Sequence, residues 1–179
     1  MRVIAGEAKG FPLKAPKGLG TRPTSDKVRG AIFSMLASMG VQPQRVLDLY
    51  AGTGALAIEA LSRGAGTAVL VERSPAACAA IRENLMRTRL AARARVIQGD
   101  VERVLPRLEG PFDLVFLDPP YADERVDAVL AALGAHGIID EHSAVVYEHS
   151  KRRRPPETCG PLKHSLTRCH GDTCVTIYF

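Results

Sequence analysis

The stretch Phe112-Asp113-Leu114-Val115-Phe116-Leu117-Asp118-Pro119-Pro120-Tyr121 decides the fold. Its first six residues are short, apolar and rich in β-branched and aromatic side chains, the pattern of a strand buried in the middle of a parallel sheet. Two consecutive prolines then end the strand. Each lacks an N–H and fixes its own φ, and Pro120 restricts Pro119 to an extended conformation, so the chain leaves the sheet as a stiff ledge. Asp118 and Tyr121 stand at its two ends. Open α/β sheets bind ligands outside the carboxyl ends of their strands, which puts this carboxylate and this ring at a crevice suited to a planar base.

A second strand-like run, Arg45-Val46-Leu47-Asp48-Leu49-Tyr50, leads into Ala51-Gly52-Thr53-Gly54 and then a helical pattern from Ala55 to Arg63. Glycines at a strand-to-helix turn allow a tight bend and a close ligand approach beside the positive end of the helix. A third strand, Ala68 to Val71, ends at Glu72, about 20 positions after the turn, where an acid usually grips a ribose diol. The turn by itself is ambiguous: Gly52-x-Gly54-x-x-Ala57 also fits a relaxed dinucleotide fingerprint, or an ordinary strand–helix turn. Asp48 shifts the balance. An acid at this strand end attracts an ammonium group and repels the pyrophosphate of a nicotinamide dinucleotide, so the charge favours S-adenosylmethionine.

With Asp48-x-x-Ala51-Gly52-x-Gly54, Glu72, Gly99-Asp100 and Asp118-Pro119-Pro120-Tyr121 in that order, the chain resembles the class I S-adenosylmethionine-dependent methyltransferases. The resemblance narrows at Arg22-Pro23-Thr24-x-Asp26-x-Val28-Arg29, at His170-Gly171-Asp172-Thr173 and at Arg2-Val3-Ile4-Ala5-Gly6. These are similar to the bacterial RsmD family, which methylates the exocyclic N2 of a guanine in 16S rRNA, and the match runs over nearly the whole chain. The resemblance implies a Rossmann-like α/β fold, with a mostly parallel sheet, an antiparallel C-terminal hairpin and helices on both faces. It implies a cofactor site made by Asp48, Tyr50, Ala51, Gly52, Thr53, Gly54, Glu72, Arg73, Asp100, Val101 and Asp118, and a reacting site made by Asp118, Pro119, Pro120 and Tyr121. Asp118 and the Pro119 carbonyl would accept hydrogen bonds from the amino group, and Tyr121 would stack on the base.

At 179 residues the chain suits one domain, large enough to bury about 70% of the surface its unfolded chain exposes. It divides into an N-terminal hairpin and helix extension, residues 1–42, and a cofactor-binding domain, residues 43–179. No apolar run approaches the ~20 residues that span a bilayer, and the N-terminus has no apolar signal core, so a cytoplasmic monomer is expected. Charge is uneven. Residues 1–45 carry eight Lys/Arg against two Asp/Glu, residues 151–179 six against two, and residues 46–150 ten against fifteen. Basic ends flanking an acidic, adenosine-suited middle point to a polyanionic partner, which the resemblance makes 16S rRNA or a partly assembled small subunit. Arg22, Thr24, Lys27, Arg29, Lys151, Arg152 and Arg153 are the candidate RNA contacts. Two plainer readings stay open: Thr24 and Asp26 start a helix, and Lys151 to Arg154 is a solvated loop.

Further elements follow from pattern. Residues 2–16 read as a hairpin around Glu7-Ala8-Lys9-Gly10. A helix from Thr24 or Ser25 carries Val28, Ile32, Met35, Leu36 and Met39 on one face, Ser74-Pro75 starts another, and Arg95-Val96-Ile97 is a strand. Ser165 to Cys169 and Cys174 to Tyr178 flank a hairpin turn. Cys159, His164, Cys169, His170 and Cys174 lack zinc-site spacing, so no metal is expected; Cys169 and Cys174 face each other and should be free thiols in a reducing compartment. His149 reads as a structural histidine. Three rival functions remain: the same cofactor acting on an adenine N6 or a glutamine side chain, a nicotinamide oxidoreductase, and a non-catalytic RNA-binding module.

Overall fold

The computed structural model describes residues 1–16 and 24–179. Five parallel strands form one side of an eight-stranded sheet: β1 (Arg45–Leu49), β2 (Thr67–Glu72), β3 (Ala94–Gln98), β4 (Leu114–Leu117) and β5 (Ala144–Ser150). Three more, β6 (Thr158–Cys159), β7 (Leu162–His170) and β8 (Thr173–Tyr178), complete the order β3-β2-β1-β4-β5-β8-β7-β6. β8 runs antiparallel between β5 and β7, as the sequence predicts for the last hairpin. The strand order reverses between β1 and β4. That switch point opens a crevice at the carboxyl edge of the sheet.

Helices α1 (Asp26–Ser38), α2 (Ala55–Ser62), α3 (Pro75–Arg87), α4 (Val101–Val104) and α5 (Val126–Ala135) cover the two faces. The strands alternate between the two cores they create. Val46, Leu114, Phe116, Ala144 and Val146 pack on the side of α1 and α2, while Leu47, Leu49, Val115, Leu117, Val145 and Tyr147 pack on the side of α5. With a period of two, Asp48, Asp118 and Glu148 all fall on the α1 face. Pairing of Leu49 with Leu117, and of Leu117 with Tyr147, brings Asp118 and Glu148 level at the strand ends.

Helix α2 is buried along its whole length, because the N-terminal segment closes over the side that the sheet leaves open. Two of its polar residues hold that segment in place. Glu59 accepts the amides of Ile4 (2.9 Å) and Ala5 (3.0 Å), and Ser62 accepts that of Ala8 (2.9 Å) and donates to the Ala5 carbonyl (2.7 Å). Residues 2–16 form the short hairpin the pattern suggested, around one antiparallel bridge, Arg2 with Pro12: the Val3 amide donates to the Phe11 carbonyl at 3.0 Å, that of Gly10 to the Val3 carbonyl at 2.9 Å and that of Leu13 to the Met1 carbonyl at 2.9 Å. The amides at its turn go to α2 as well. Val3, Ala8 and Leu13 join the same core as α1 and the sheet.

Local signals explain the helix starts. Ser25 caps α1 by accepting the Val28 amide at 3.2 Å, and Ser74 caps α3, with Pro75 in the first turn where a missing N–H costs nothing. β4 begins at Leu114, two residues after the apolar run does, because the Asp113 carboxylate takes the amides of Gln44 and Arg45 at 2.8 Å. The short strand β6 had no sequence signal. No helix among the described residues is long and apolar enough to cross a membrane.

Candidate active site

The glycine turn after β1 is built from residues with unusual backbone angles. Tyr50, Gly52 and Gly54 all have positive φ, at 62°, 60° and 78°. The two glycines serve different ends. A Cβ on Gly54 would press within 3.1 Å of Leu70 and 3.2 Å of Ile81, so packing requires this glycine, whereas the space at Gly52 is open and lets a ligand reach the main chain. Tyr50 has no such freedom, and a non-glycine residue held at positive φ beside a crevice is the kind of strain found at binding sites.

Asp48 lies under this turn, 1% exposed, and its Oδ2 accepts the Ala57 amide at 3.2 Å. Gly54, at the cap position of α2, has no side chain to do this, so the strand supplies the cap. Burial raises the Asp48 pKa to about 8, and the nearby Glu72 charge adds to the rise. A buried acid of this kind is ready for a cation. Glu72, at the end of β2, accepts the amides of Gly52 (3.0 Å) and Ser74 (3.2 Å), which fixes its carboxylate beside the turn and leaves one lone pair on each oxygen.

Asp100 precedes α4 without making a capping hydrogen bond, and Val101 beside it is buried. Arg73 is exposed next to Glu72. Asp48, the glycine turn, Glu72 and Asp100 thus follow one another along the carboxyl edge of β1, β2 and β3. The donor set fits S-adenosylmethionine: a buried acid that ionises against the ammonium, an anchored carboxylate for the ribose diol, an open glycine for the chain between them, and a carboxylate for a base amino group.

Asp118 follows β4 on the other side of the switch point and keeps part of its surface open. Burial pushes its pKa well above the ordinary carboxylate range, the charges of Glu148 and Asp48 push it further, and a hydrogen bond from Thr24 opposes them. Thr24 is nearly buried, with its Oγ1 3.1 Å from Asp118 Oδ2 and 2.9 Å from Glu148 Oε2. Because Ser25 caps α1, Thr24 faces these acids instead. Pro119 is buried and Pro120 exposed. The ring of Tyr121 is 49% exposed, and its hydroxyl meets Thr173 Oγ1 at 2.6 Å. That contact joins the ledge to the His170–Thr173 turn, two motifs that lie far apart in the sequence.

Two residues that hold the site were missed by the sequence reading. Glu148 is a buried acid at the end of an otherwise apolar strand, a signal that was there to be read. Asn84, in the middle of α3, takes the Lys14 amide at 2.8 Å and donates to the carbonyls of Lys14 and Thr53, both at 3.0 Å. It ties the N-terminal segment to the glycine turn. His149 is structural as expected: Nδ1 donates to the Ser150 carbonyl, Nε2 accepts from the Thr176 hydroxyl, and burial lowers its pKa.

Several candidate RNA contacts need correction. Arg29 is fully buried, contacts the Arg2 carbonyl and Asp26, and lies 3.8 Å from Glu59, so it fastens α1 to α2 and the N-terminal segment rather than meeting phosphate. Arg153 pairs with Asp127 at 2.8 Å, which ties the basic run to α5. Lys27, Lys151 and Arg152 are exposed and remain candidates. Arg22 lies outside the described residues. Cys169 and Cys174 form a disulfide where free thiols were expected: they pair directly across β7 and β8 beside the two-residue turn.

The full chain, residues 1–179, matches the family model described as "Conserved hypothetical protein 95". The chain belongs to that family. It is 40% identical to YlbH of Bacillus subtilis over 99% of this chain and 98% of that one. It is 35% identical to ribosomal RNA small subunit methyltransferase D of Escherichia coli over 94% and 83%. A conserved hypothetical protein of Streptococcus pyogenes has a solved structure that matches with a TM-score of 0.78 at 43% identity, covering 84% of this chain and 94% of that one. The family thus supplies both the fold and the company of RNA methyltransferases.

Proposed function

We propose that the protein transfers a methyl group from S-adenosylmethionine to the exocyclic N2 of a guanine in 16S rRNA. The single observation that carries this reading is the partly exposed Asp118, set at the head of a rigid Pro–Pro–Tyr ledge and across the switch point from a cation-ready cofactor site. A relative 35% identical over most of its length is named as a methyltransferase of the small-subunit RNA.

An aromatic amine is a weak nucleophile, because its lone pair is delocalised into the ring. When bound, S-adenosylmethionine supplies an electrophilic methyl on a sulfonium. The protein's work is then to orient the amine and stabilise the positive charge that develops on nitrogen. Asp118 and the Pro119 carbonyl accept the amino hydrogens and aim the lone pair at the methyl. Tyr121, steadied by Thr173, stacks on a base that has left its helix. Asp48 holds the ammonium of the donor, Glu72 its ribose, and Asp100 its adenine amino group.

The acceptor is 16S rRNA, free or in a partly assembled small subunit, and the enzyme works in the cytoplasm as a monomer. Basic residues at both ends of the chain, Lys27, Lys151 and Arg152 among them, support phosphate contacts around the crevice. Incubation of the protein with labelled S-adenosylmethionine and, separately, naked 16S rRNA, partly assembled small subunits, tRNA and DNA tests this. Label is expected in the ribosomal substrates alone; label only in tRNA, DNA or protein would refute it.

A further inference from the structure

A hydroxyl has one proton. Thr24 Oγ1 lies within hydrogen-bonding distance of two carboxyls, Asp118 and Glu148, and can donate to only one of them. The second contact is a hydrogen bond only if that carboxyl brings a proton of its own. Were both acids ionised, one would face an oxygen lone pair in a site where Glu148 is 6% exposed and Thr24 9%. Two like charges brought to one hydroxyl with so little solvent disfavour each other, which favours keeping a proton on the pair.

Among the described residues, the groups facing Glu148 offer no relief. Asp118 approaches from β4 and Thr24 from the start of α1, Val175 lies opposite on β8, and Asp48 lies beyond Asp118. Among the described residues, no Lys or Arg forms an ion pair with either acid. Burial raises the pKa of both, and the charge of Glu148 raises that of Asp118 further.

We propose that Asp118, Thr24 and Glu148 form one unit in which the two carboxyls share a single proton and carry a single negative charge, and that Glu148 is a positioning residue that enables Asp118 to take the proton shed by the methylated nitrogen. This rests on the methyltransferase reading above. At the start, Asp118 carries the proton on Oδ2 and donates it to Thr24, Thr24 donates to the Glu148 carboxylate, and Asp118 Oδ1 accepts the amino hydrogen. As the N–C bond forms and the S–C bond breaks, the positive charge passes from sulfur to nitrogen. The amino proton then moves to Oδ1, the Oδ2 proton to Thr24, and the Thr24 proton to Glu148. Both carboxyls end neutral with one proton each, Thr24 ends as a hydroxyl again, and the methylated amine ends neutral with one proton fewer. One proton leaves to solvent through the open side of Asp118 as the product departs.

Carboxyl carbon NMR of the free protein, labelled at Asp and Glu, tests the shared proton without any substrate. Signals assigned by their loss in Asp118→Asn and Glu148→Gln are expected to titrate as a coupled pair, with one proton retained through neutral pH. Independent titration of both in the ordinary carboxylate range would overturn the proposal. Kinetically, Glu148→Gln is expected to lower kcat about 10- to 100-fold with KM for both substrates unchanged, in the range of general acid–base effects. Its pH profile should lose the alkaline limb, because that limb is the loss of the shared proton from a pair of acids and only one acid remains. Thr24→Val should lose a similar factor and Thr24→Ser recover most of it. A Glu148→Gln enzyme with wild-type kcat and pH profile, or a change confined to KM, would overturn the proposal. If the wild-type protein itself labels no guanine, the methyltransferase reading fails, and the NMR titration still decides whether the proton is shared.

Discussion

Asp48 and Ala57 are joined by a hydrogen bond of 3.2 Å that runs from the first turn of α2 to the end of β1. One carboxylate therefore does two jobs, since it caps a helix that begins at a glycine and lines the place where a cationic donor would bind.

The two jobs separate in variants. Asp48→Asn keeps an acceptor for the Ala57 amide and should retain the fold, while losing about tenfold or more in S-adenosylmethionine affinity. Asp48→Ala loses the cap as well and should cost about 1 kcal/mol of stability, as cap deletions typically do. Calorimetric titration with the donor and urea unfolding read the two effects; equal donor affinity in Asp48→Asn would remove this residue from the site.

The raised pKa of Asp48, about 8 in the folded protein, gives a sign to the pH dependence. Between the unfolded value, near 4, and about pH 8 the folded state holds a proton that the unfolded state does not, so this group's contribution to stability falls as pH rises through that window. A bound ammonium favours the ionised form. Donor binding at pH 7 is therefore expected to release protons, measurable as a buffer dependence of the binding enthalpy, and Asp48→Asn should reduce that release.

Tyr121 and Thr173 form a pair whose coupling can be measured. Tyr121→Ala should lower kcat/KM for RNA by about 10- to 100-fold, in line with the ~1–3 kcal/mol of a stacked base, with donor affinity unchanged. Tyr121→Phe and Thr173→Val should each cost a few-fold, and the double variant no more than either alone, because both remove the same hydrogen bond. Additive losses would show that the hydroxyl bond does not steady the ring.

The exposed and buried cations should behave differently. Charge reversal at Lys27, Lys151 or Arg152 is expected to weaken RNA binding and flatten its salt dependence by roughly 0.7–0.9 in log–log slope for each phosphate no longer neutralised. Arg29→Met should leave the slope unchanged and destabilise the fold by about 3–5 kcal/mol, since it strips a buried partner from Glu59. A stable Arg29→Met protein with weakened RNA affinity would return Arg29 to the RNA surface.

Local pattern carries the sheet and the cofactor edge of the site. Strands β1 to β4 and the residues at their ends follow from apolar runs, glycines and prolines that act over a few positions. What stays hidden in the sequence depends on distant partners. Arg29 reads as a surface cation until Glu59 is seen beside it, Glu148 reads as a strand-end acid until Thr24 links it to Asp118, and nothing within residues 2–16 says that Glu59 and Ser62 of α2 will hold their turn. Tyr121 and Thr173, 52 positions apart, meet only once β8 lies beside β5.

The central claim is that Asp118 serves an exocyclic guanine amine. The most direct measurement is nucleoside analysis of ribosomal RNA methylated by the wild-type and Asp118→Ala proteins with labelled donor, with donor affinity determined for both. Label is expected in N2-methylguanosine and lost in Asp118→Ala, with donor affinity changed by no more than a few-fold. Label in another nucleoside, or undiminished N2-methylguanosine from Asp118→Ala, would contradict that claim.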